Sequence, residues 1–417
     1  MPHSAYAEFL AGRSRAGQSR QLTPMLPAGA GHIEKSGARL INFSSNNYLG
    51  LADHPLLVAR ACEWTARWGC GATASRLVCG NLAPFEGVEA RLARGKGSQA
   101  ALVFNSGFQA NATILAALLD PAVLGTPPEV YCDRLNHASL HHGCRAAGAR
   151  QIRYRHNDLN HLESLLKARA HQAAPRFILT ESLFSMDGDL VDLPGLLALK
   201  HRYGAFLYLD EAHATGVFGP DGFGLGAAFP GEVDLVMGTF SKGLGGFGAY
   251  AACSRPLREY LIHHCAGLIY STALPPGVLG AMDAALELLP SLQDKRESLL
   301  HQAHATRERL RALGLNTGQS ASQIIPVMLG AGNAALTASR RLESEAGILA
   351  MAIRPPTVPR HTARLRLSLT AAHQEEDLDR LVTALAGISA DIPPEPGFWP
   401  ADGIESSRES PPDHGRA

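Results

Sequence analysis

Between about residues 55 and 285, short and mostly apolar runs recur, separated by stretches long enough for a helix. They are Ala101-Leu-Val-Phe, Val130-Tyr-Cys, Gln151-Ile-Arg-Tyr, Phe177-Ile-Leu-Thr, Phe206-Leu-Tyr-Leu, Leu235-Val-Met and Ala249-Tyr-Ala-Ala. Strands that are apolar along their length are buried on both faces, so the pattern predicts an α/β fold with a mostly parallel sheet covered by helices. Ligands of such sheets sit at the carboxyl ends of the strands. Near 280–312 a long helical pattern leads to two more strands, Gln323-Ile-Ile-Pro-Val-Met and Arg364-Leu-Arg-Leu-Ser-Leu, and then to an acidic helix beginning near His373. This predicts a smaller C-terminal α+β domain.

The division expected is an N-terminal arm over 1–54, in which Leu40–Gly50 brings a short strand to a turn, a large domain over 55–285 and a small domain over 286–391. From 392 to 417 Pro, Glu, Ser and Gly leave nothing to bury, which predicts a disordered tail. At 417 residues the chain is long enough for several domains.

Charge narrows the partners. With 38 basic and 38 acidic residues the formal net charge is zero, so no electrostatic footprint for nucleic acid or an anionic membrane is present. The N-terminal residues lack a basic region followed by an apolar core, and no apolar run reads as long enough to span a bilayer, which predicts a cytoplasmic protein. The seven cysteines (62, 70, 79, 132, 144, 253 and 265) are odd in number and form no C-x-x-C pair, as expected of reduced, mostly buried thiols.

The chemistry gathers after the strands. Lys242 ends the run from Val233 and precedes Gly243-Leu-Gly-Gly-Phe-Gly248, while Phe206-Leu-Tyr-Leu-Asp210 delivers an acid, with His213 three residues on. An amine that can form a Schiff base, a carboxylate that can hold a pyridinium proton and a nearby histidine are what an aldehyde cofactor such as pyridoxal 5'-phosphate (PLP) requires. Ser106–Asn111 opens a helix directly after a strand, where free N–H groups favour a phosphate, and Thr239 and Ser241 add hydroxyls. Each residue also has a plainer reading: an ordinary turn for Ser106–Asn111, a helix cap for Asp210, a satisfied core histidine for His213. Ser185 converging with Asp210 and His213 favours a hydrogen bond to the cofactor's phenolic oxygen, and His137 could lie flat on its ring. Gly243–Gly248 matches G-x-G-x-x-G but precedes a strand-like run, so a dinucleotide site is discounted. His137 and His141 share the i, i+4 spacing of a metal pair without its glutamate, and no metal is expected.

Six segments in order carry a resemblance. Ser45-Asn-Asn-Tyr-Leu-Gly50, Asn136-His-Ala-Ser139, Phe184-Ser-Met-Asp-Gly-Asp189, Asp210-Glu-Ala-His-Ala-Thr-Gly216, Thr239-Phe-Ser-Lys242 and Tyr270-Ser-Thr-Ala-Leu-Pro-Pro276 resemble the α-oxoamine synthases, PLP enzymes of fold type I. Ala352–Pro359, Thr362–His373 and Tyr154–Asp158 look most like the branch that condenses L-alanine with a pimeloyl thioester. The resemblance implies that Lys242 bears the cofactor, Asp210 pairs with the pyridine nitrogen, and His213 and Ser185 bond the phenolic oxygen. It further implies that Gly107, Phe108 and Thr239 bind cofactor and phosphate, that His137 stacks on the ring and touches substrate, and that Arg20 and Thr357 contact substrate. Thr272 would reach the phosphate of the neighbouring subunit in a homodimer with shared active sites. The acyl group could arrive on coenzyme A or on acyl carrier protein. Two alternatives stay open: a sister synthase that takes glycine or serine with another acyl thioester, and a PLP-binding but catalytically silent paralogue.

Overall fold

Residues 2–15, 18–29 and 31–389 are described by the computed structural model, and the expectation for 392–417 falls outside them. After a first helix, Pro2–Arg15, come three short strands, β1 (Met25–Pro27), β2 (His32–Lys35) and β3 (Ala38–Asn42), paired antiparallel in sequence. The seven apolar runs then form one sheet: β4 (Ala100–Phe104), β5 (Glu129–Asp133), β6 (Gln151–Tyr154), β7 (Arg176–Glu181), β8 (Ala205–Asp210), β9 (Leu235–Thr239) and β10 (Ala249–Cys253). Their order is β4-β10-β9-β8-β7-β5-β6, parallel from β6 through β9, with β10 antiparallel to both of its neighbours. Between strands the chain returns over the sheet as helices, among them Gly107–Leu118, Ala138–Ala146 and Leu193–Tyr203. All five residues of β5 and all five of β9 are buried in succession, as a sheet covered on both faces requires.

The last part holds β11 (Ile324–Gly330), β12 (Ile348–Leu349), β13 (Met351–Ile353) and β14 (Ala363–Ser368), with β14 central and antiparallel to β11 and β13. β12 pairs with β3, Ile348 opposite Ile41, so the first segment is stitched to the C-terminal one through buried Leu40 and Ile41. The long helical pattern resolves into Pro276–Leu288, a short tight turn of helix and Gln293–Ala312, and the acidic helix runs Glu375–Ser389.

One sequence expectation needs correcting. The stretch Gly107–Leu124 does have the length and hydropathy of a membrane span, mean hydropathy 1.2. Here it is two helices, the first packed against β9, β10 and the helix Ala138–Ala146, with Ile114 and Leu115 fully buried. Its apolarity is explained by covering the sheet. Of the cysteines, four are buried and three exposed, and all are free thiols.

Candidate active site

Three strand ends meet at the carboxyl edge of the sheet. Glu181 ends β7 directly opposite Asp210 at the end of β8, Thr239 ends β9, and Lys242 follows three residues later. Asp210 is buried, and its Oδ1 accepts the Ala212 N–H at 2.9 Å; the chain after it forms turns and not a helix, so the helix-cap reading is not met. Its Oδ2 accepts from Asn111 Nδ2 at 2.7 Å.

Lys242 Nζ stands 2.9 Å from Nε2 of buried His213, whose Nδ1 lies 2.6 Å from the Tyr48 hydroxyl. Burial lowers the Lys242 amine to about 8 against the pull of the Asp210 and Glu181 carboxyls, and Arg366 lowers it further. Burial likewise takes His213 well below its ordinary value, reinforced by Lys242, Arg366 and His137. A neutral imidazole has one donor and one acceptor nitrogen, which is what a ring between a hydroxyl and an amine can use.

Beside the amine lies a cradle for an anion. Ser106 caps the helix Gly107–Leu118 by accepting the Gln109 N–H at 3.2 Å, and the first N–H groups of a helix have no partner within it. A Cβ added to Gly107 would come 2.7 Å from Thr239 Cγ2, so glycine is what lets this turn approach β9. Thr239 Oγ1 is buried and has no hydrogen-bond partner. An unsatisfied buried hydroxyl costs about 1–3 kcal/mol, and a phosphate between it and the helix end would satisfy it. Amine, acid and anion cradle therefore fit PLP. Phe108 offers this site its backbone, since its ring is exposed and tilted 5.4 Å from that of His142.

His137, Ser185 and Thr357 line one cavity of about 570 Å³ together with Arg134, Arg153 and Pro356. A second cavity, about 460 Å³, opens beside Lys96, Phe206 and Cys253 and contains none of these groups. Arg20 is exposed on the irregular segment before β1, and no contact described in the single chain joins it to the pocket. Thr272 is also exposed. Its carbonyl accepts from Asn105 Nδ2 at 2.9 Å, and Ser271 Oγ accepts from Gln109 Nε2 at 2.6 Å, so that loop is anchored to the first turn of the helix Gly107–Leu118.

Four residues without an expected role stand at the site. Tyr48 holds His213, and Asn111 holds Asp210. Glu181 accepts the His137 N–H at 2.6 Å, and burial next to the Asp210 charge keeps its carboxyl well above the usual range, against the His137 N–H and Lys242. Arg366 donates to the Ser185 carbonyl, Asn46 Oδ1, Ser368 Oγ and the Tyr48 hydroxyl, all neutral acceptors, so among the described residues no carboxylate is hydrogen-bonded to it. Three of them were visible as polar residues beside apolar ones: Asn111 in Ala110–Leu119, Glu181 after Phe177-Ile-Leu-Thr, and Arg366 between Leu365 and Leu367; Tyr48, after Ser45-Asn-Asn, gave no such signal.

The chain is similar to known proteins in sequence and fold. The family described as aminotransferase class I and II matches residues 38–385. The 8-amino-7-oxononanoate synthase of Gluconacetobacter diazotrophicus is 57% identical over 368 residues, covering 88% of this chain and 92% of that protein. A Magnetococcus marinus protein, provisionally given the same name, is 62% identical over 384 residues, covering 92% of this chain and 97% of its own. A solved SPT with PLP as an internal aldimine superimposes with a TM-score of 0.86 at 28% identity, covering 94% of this chain and 99% of that one.

Proposed function

The chain belongs to the aminotransferase class I and II family, and within it to the α-oxoamine synthases of the 8-amino-7-oxononanoate synthase type, and from that membership we propose that it joins L-alanine to a pimeloyl thioester with loss of carbon dioxide. It is a PLP-dependent acyltransferase, and its product, 8-amino-7-oxononanoate, belongs to biotin biosynthesis. The observation that carries the residue assignment is the Lys242 amine, lowered to about 8 and 2.9 Å from His213 beside buried Asp210.

PLP, when bound, supplies an aldehyde carbon for the amino group and an electron-poor ring that accepts the electron pair left at the amino acid's α-carbon. The chain's residues divide the remaining work. Lys242 Nζ, with its value near neutrality, holds the cofactor and then takes and returns the α-proton. Asp210, aimed by Asn111, keeps a proton on the ring nitrogen. His213 and Ser185 would bond the phenolic oxygen, while Thr239 and the N-terminal turn at Gly107 and Phe108 would hold the phosphate. His137 would stack on the ring and meet the substrate in the cavity it shares with Thr357. Arg366 orients the amino-acid carboxylate, and Arg20 contacts the acyl donor from outside.

A panel of amino acids (alanine, glycine, serine) offered with pimeloyl, palmitoyl and succinyl thioesters, each on coenzyme A and on acyl carrier protein, tests the reading. Alanine with a pimeloyl donor is expected to give the highest kcat/KM; preference for glycine or serine would replace the reading with a sister synthase, and no turnover with any pair would indicate a silent paralogue. The reaction is assigned to the cytoplasm.

The proposal extends to a homodimer in which Thr272 serves the partner's phosphate. Pro275 and Pro276 follow Thr272, and Pro276 starts the helix Pro276–Leu288, so the loop before it is rigid and its hydroxyl projects from the chain. Lys242→Ala and Thr272→Ala chains allowed to exchange should then form hybrids in which one site carries both lesions and the other neither. Activity of the mixture is expected to exceed both parents. A plain average of the parents, with subunit exchange demonstrated by mass, would place Thr272 in its own chain's site.

A further inference from the structure

His137 and Asp210 are joined by a chain of hydrogen bonds through two buried residues. Asn111 Nδ2 donates to Asp210 Oδ2 at 2.7 Å and to Ser139 Oγ at 2.9 Å, and Ser139 Oγ lies 2.7 Å from His137 Nδ1. Asn111 and Ser139 are each 1% exposed.

The direction of this chain follows from what each group can do. Asn111 Oδ1 accepts from the Tyr208 hydroxyl at 2.7 Å, and burial next to Asp210 pushes that phenol well above its ordinary value, so it stays a donor. The Asn111 amide is thereby fixed with its NH2 toward the Asp210 carboxylate, which can only accept. Ser139 Oγ accepts from Asn111 and has one proton left to give. Its own backbone N–H also points at His137 Nδ1, at 3.3 Å, as in a helix cap. A ring nitrogen facing two donors carries a lone pair. A proton on Nδ1 would oppose the Ser139 N–H and leave the Ser139 hydroxyl proton without an acceptor.

Helix packing makes the chain possible. A Cβ on Gly143, in the helix Ala138–Ala146, would fall 2.6 Å from the Asn111 carbonyl oxygen. Only a glycine lets this helix lie close enough to Gly107–Leu118 for Asn111 to reach Ser139 and Asp210 together.

We propose that Asn111 and Ser139 are positioning residues that hold His137 as the neutral tautomer with its proton on Nε2 and tie that ring to the acid at the cofactor's pyridine nitrogen. His137 then meets the substrate as a hydrogen-bond donor, Nε2–H, suited to a carboxylate or carbonyl oxygen, and not as a base or a cation. The role rests on the PLP-dependent reading of the site given above. Packing of the ring against the pocket lowers His137, and Lys242 adds to this against the pull of Asp210, in keeping with a neutral ring.

The test is a long-range ¹H–¹⁵N spectrum of the full chain labelled at histidine, with and without PLP, in which the His137 signal is identified by its loss in His137→Asn. In the wild type, protonated Nε2 and bare Nδ1 are expected from about pH 6 to pH 8. Ser139→Ala and Asn111→Ala should each move both nitrogens toward the values of a mixed tautomer and lower kcat roughly tenfold or more, with the KM for the amino acid little changed. A purely structural role would reduce folded protein or PLP binding without changing the tautomer. A proton on Nδ1 in the wild type, or unchanged nitrogens in both variants, overturns the proposal; a change in Ser139→Ala alone overturns the link to Asp210. The PLP-free spectrum does not depend on which substrates react, so a different substrate preference would refute the proposed reaction and leave this inference standing.

Discussion

Lys242→Ala is expected to abolish turnover while the fold persists. The substitution removes the amine that captures the cofactor and the base that moves the α-proton. Acid–base catalysis by one positioned side chain contributes about 10²–10⁴-fold, and loss of covalent capture adds to that, so a fall of roughly 10⁴-fold or more is expected. The fold has no need of the residue: among the described residues its side-chain hydrogen bond is to His213, which keeps Tyr48. The lowered amine gives the wild type a pH signature as well. Only the unprotonated amine attacks an aldehyde, and its fraction rises with pH up to about 8 and then levels. The rate at which PLP-free enzyme captures added PLP, followed by absorbance, should climb nearly tenfold per pH unit below about 7 and flatten above about 8. An unperturbed lysine would still be climbing at pH 10. Lys242→Ala should show no such phase at any pH, and multiple turnover by this variant without added amine would remove Lys242 from its assigned role.

What the sequence revealed follows from which forces leave a local mark. Strands buried on both faces must be apolar throughout, so the inner strands of the central sheet were readable as runs, and their carboxyl ends pointed to Asp210, Thr239 and Lys242; the edge strand β6, with Gln151 and exposed Arg153, carried a weaker mark. Strand direction leaves no such mark. Ala249-Tyr-Ala-Ala reads like its neighbours, yet β10 runs antiparallel to both. The pairing of β3 with β12 joins Ile41 to Ile348, a contact set by tertiary packing that no local pattern of a two-residue strand could announce. The apolarity of Gly107–Leu124 carried two meanings, core helix or membrane span, and only the neighbouring sheet decides between them.

The site divides along the same line. Lys242, Asp210, His213 and His137 follow strands and could be found by chemistry. Asn111, Glu181, Arg366 and Tyr48 act on those residues, and in sequence each is a single polar or aromatic position that a strand or helix can carry for ordinary reasons. The usable signal was cost: a buried polar side chain needs a partner, and an asparagine amid Ala110–Leu119 or an arginine between Leu365 and Leu367 demands one. Identifying the partner requires the fold, because Asn111 is 99 residues from Asp210.

Asp210→Asn is expected to damage cofactor binding and proton transfer together. The carboxylate accepts on both oxygens, from Ala212 N–H and from Asn111 Nδ2. An amide can reproduce one of these bonds. If its oxygen keeps Ala212, its NH2 meets the Asn111 NH2. If Asn111 turns to relieve that clash, it gives up its bonds to Tyr208 and Ser139. Either outcome adds to the loss of the charge that keeps the pyridine nitrogen protonated. Removing one partner of a buried charged pair costs about 3–5 kcal/mol, so a loss on the order of 10²–10³-fold is expected in the combined measure of PLP affinity and alanine α-proton exchange. Glu181 shapes what remains. Its carboxyl is held up by burial and, after burial, by the Asp210 charge opposite it. Without that charge Glu181 ionises more readily, and a carboxylate returns to the same strand edge as pH rises. Residual PLP affinity of Asp210→Asn should therefore rise with pH more than the Lys242 amine alone accounts for, whereas Asp210→Asn with Glu181→Gln should bind more weakly and keep only the Lys242-dependent part of the rise. The measurements are PLP titration by absorbance across pH and deuterium loss from α-deuterated alanine. Normal PLP affinity with wild-type α-proton exchange in Asp210→Asn would take the ring nitrogen away from Asp210, and a pH response in the single variant no steeper than that of the double variant would exclude Glu181 as its substitute.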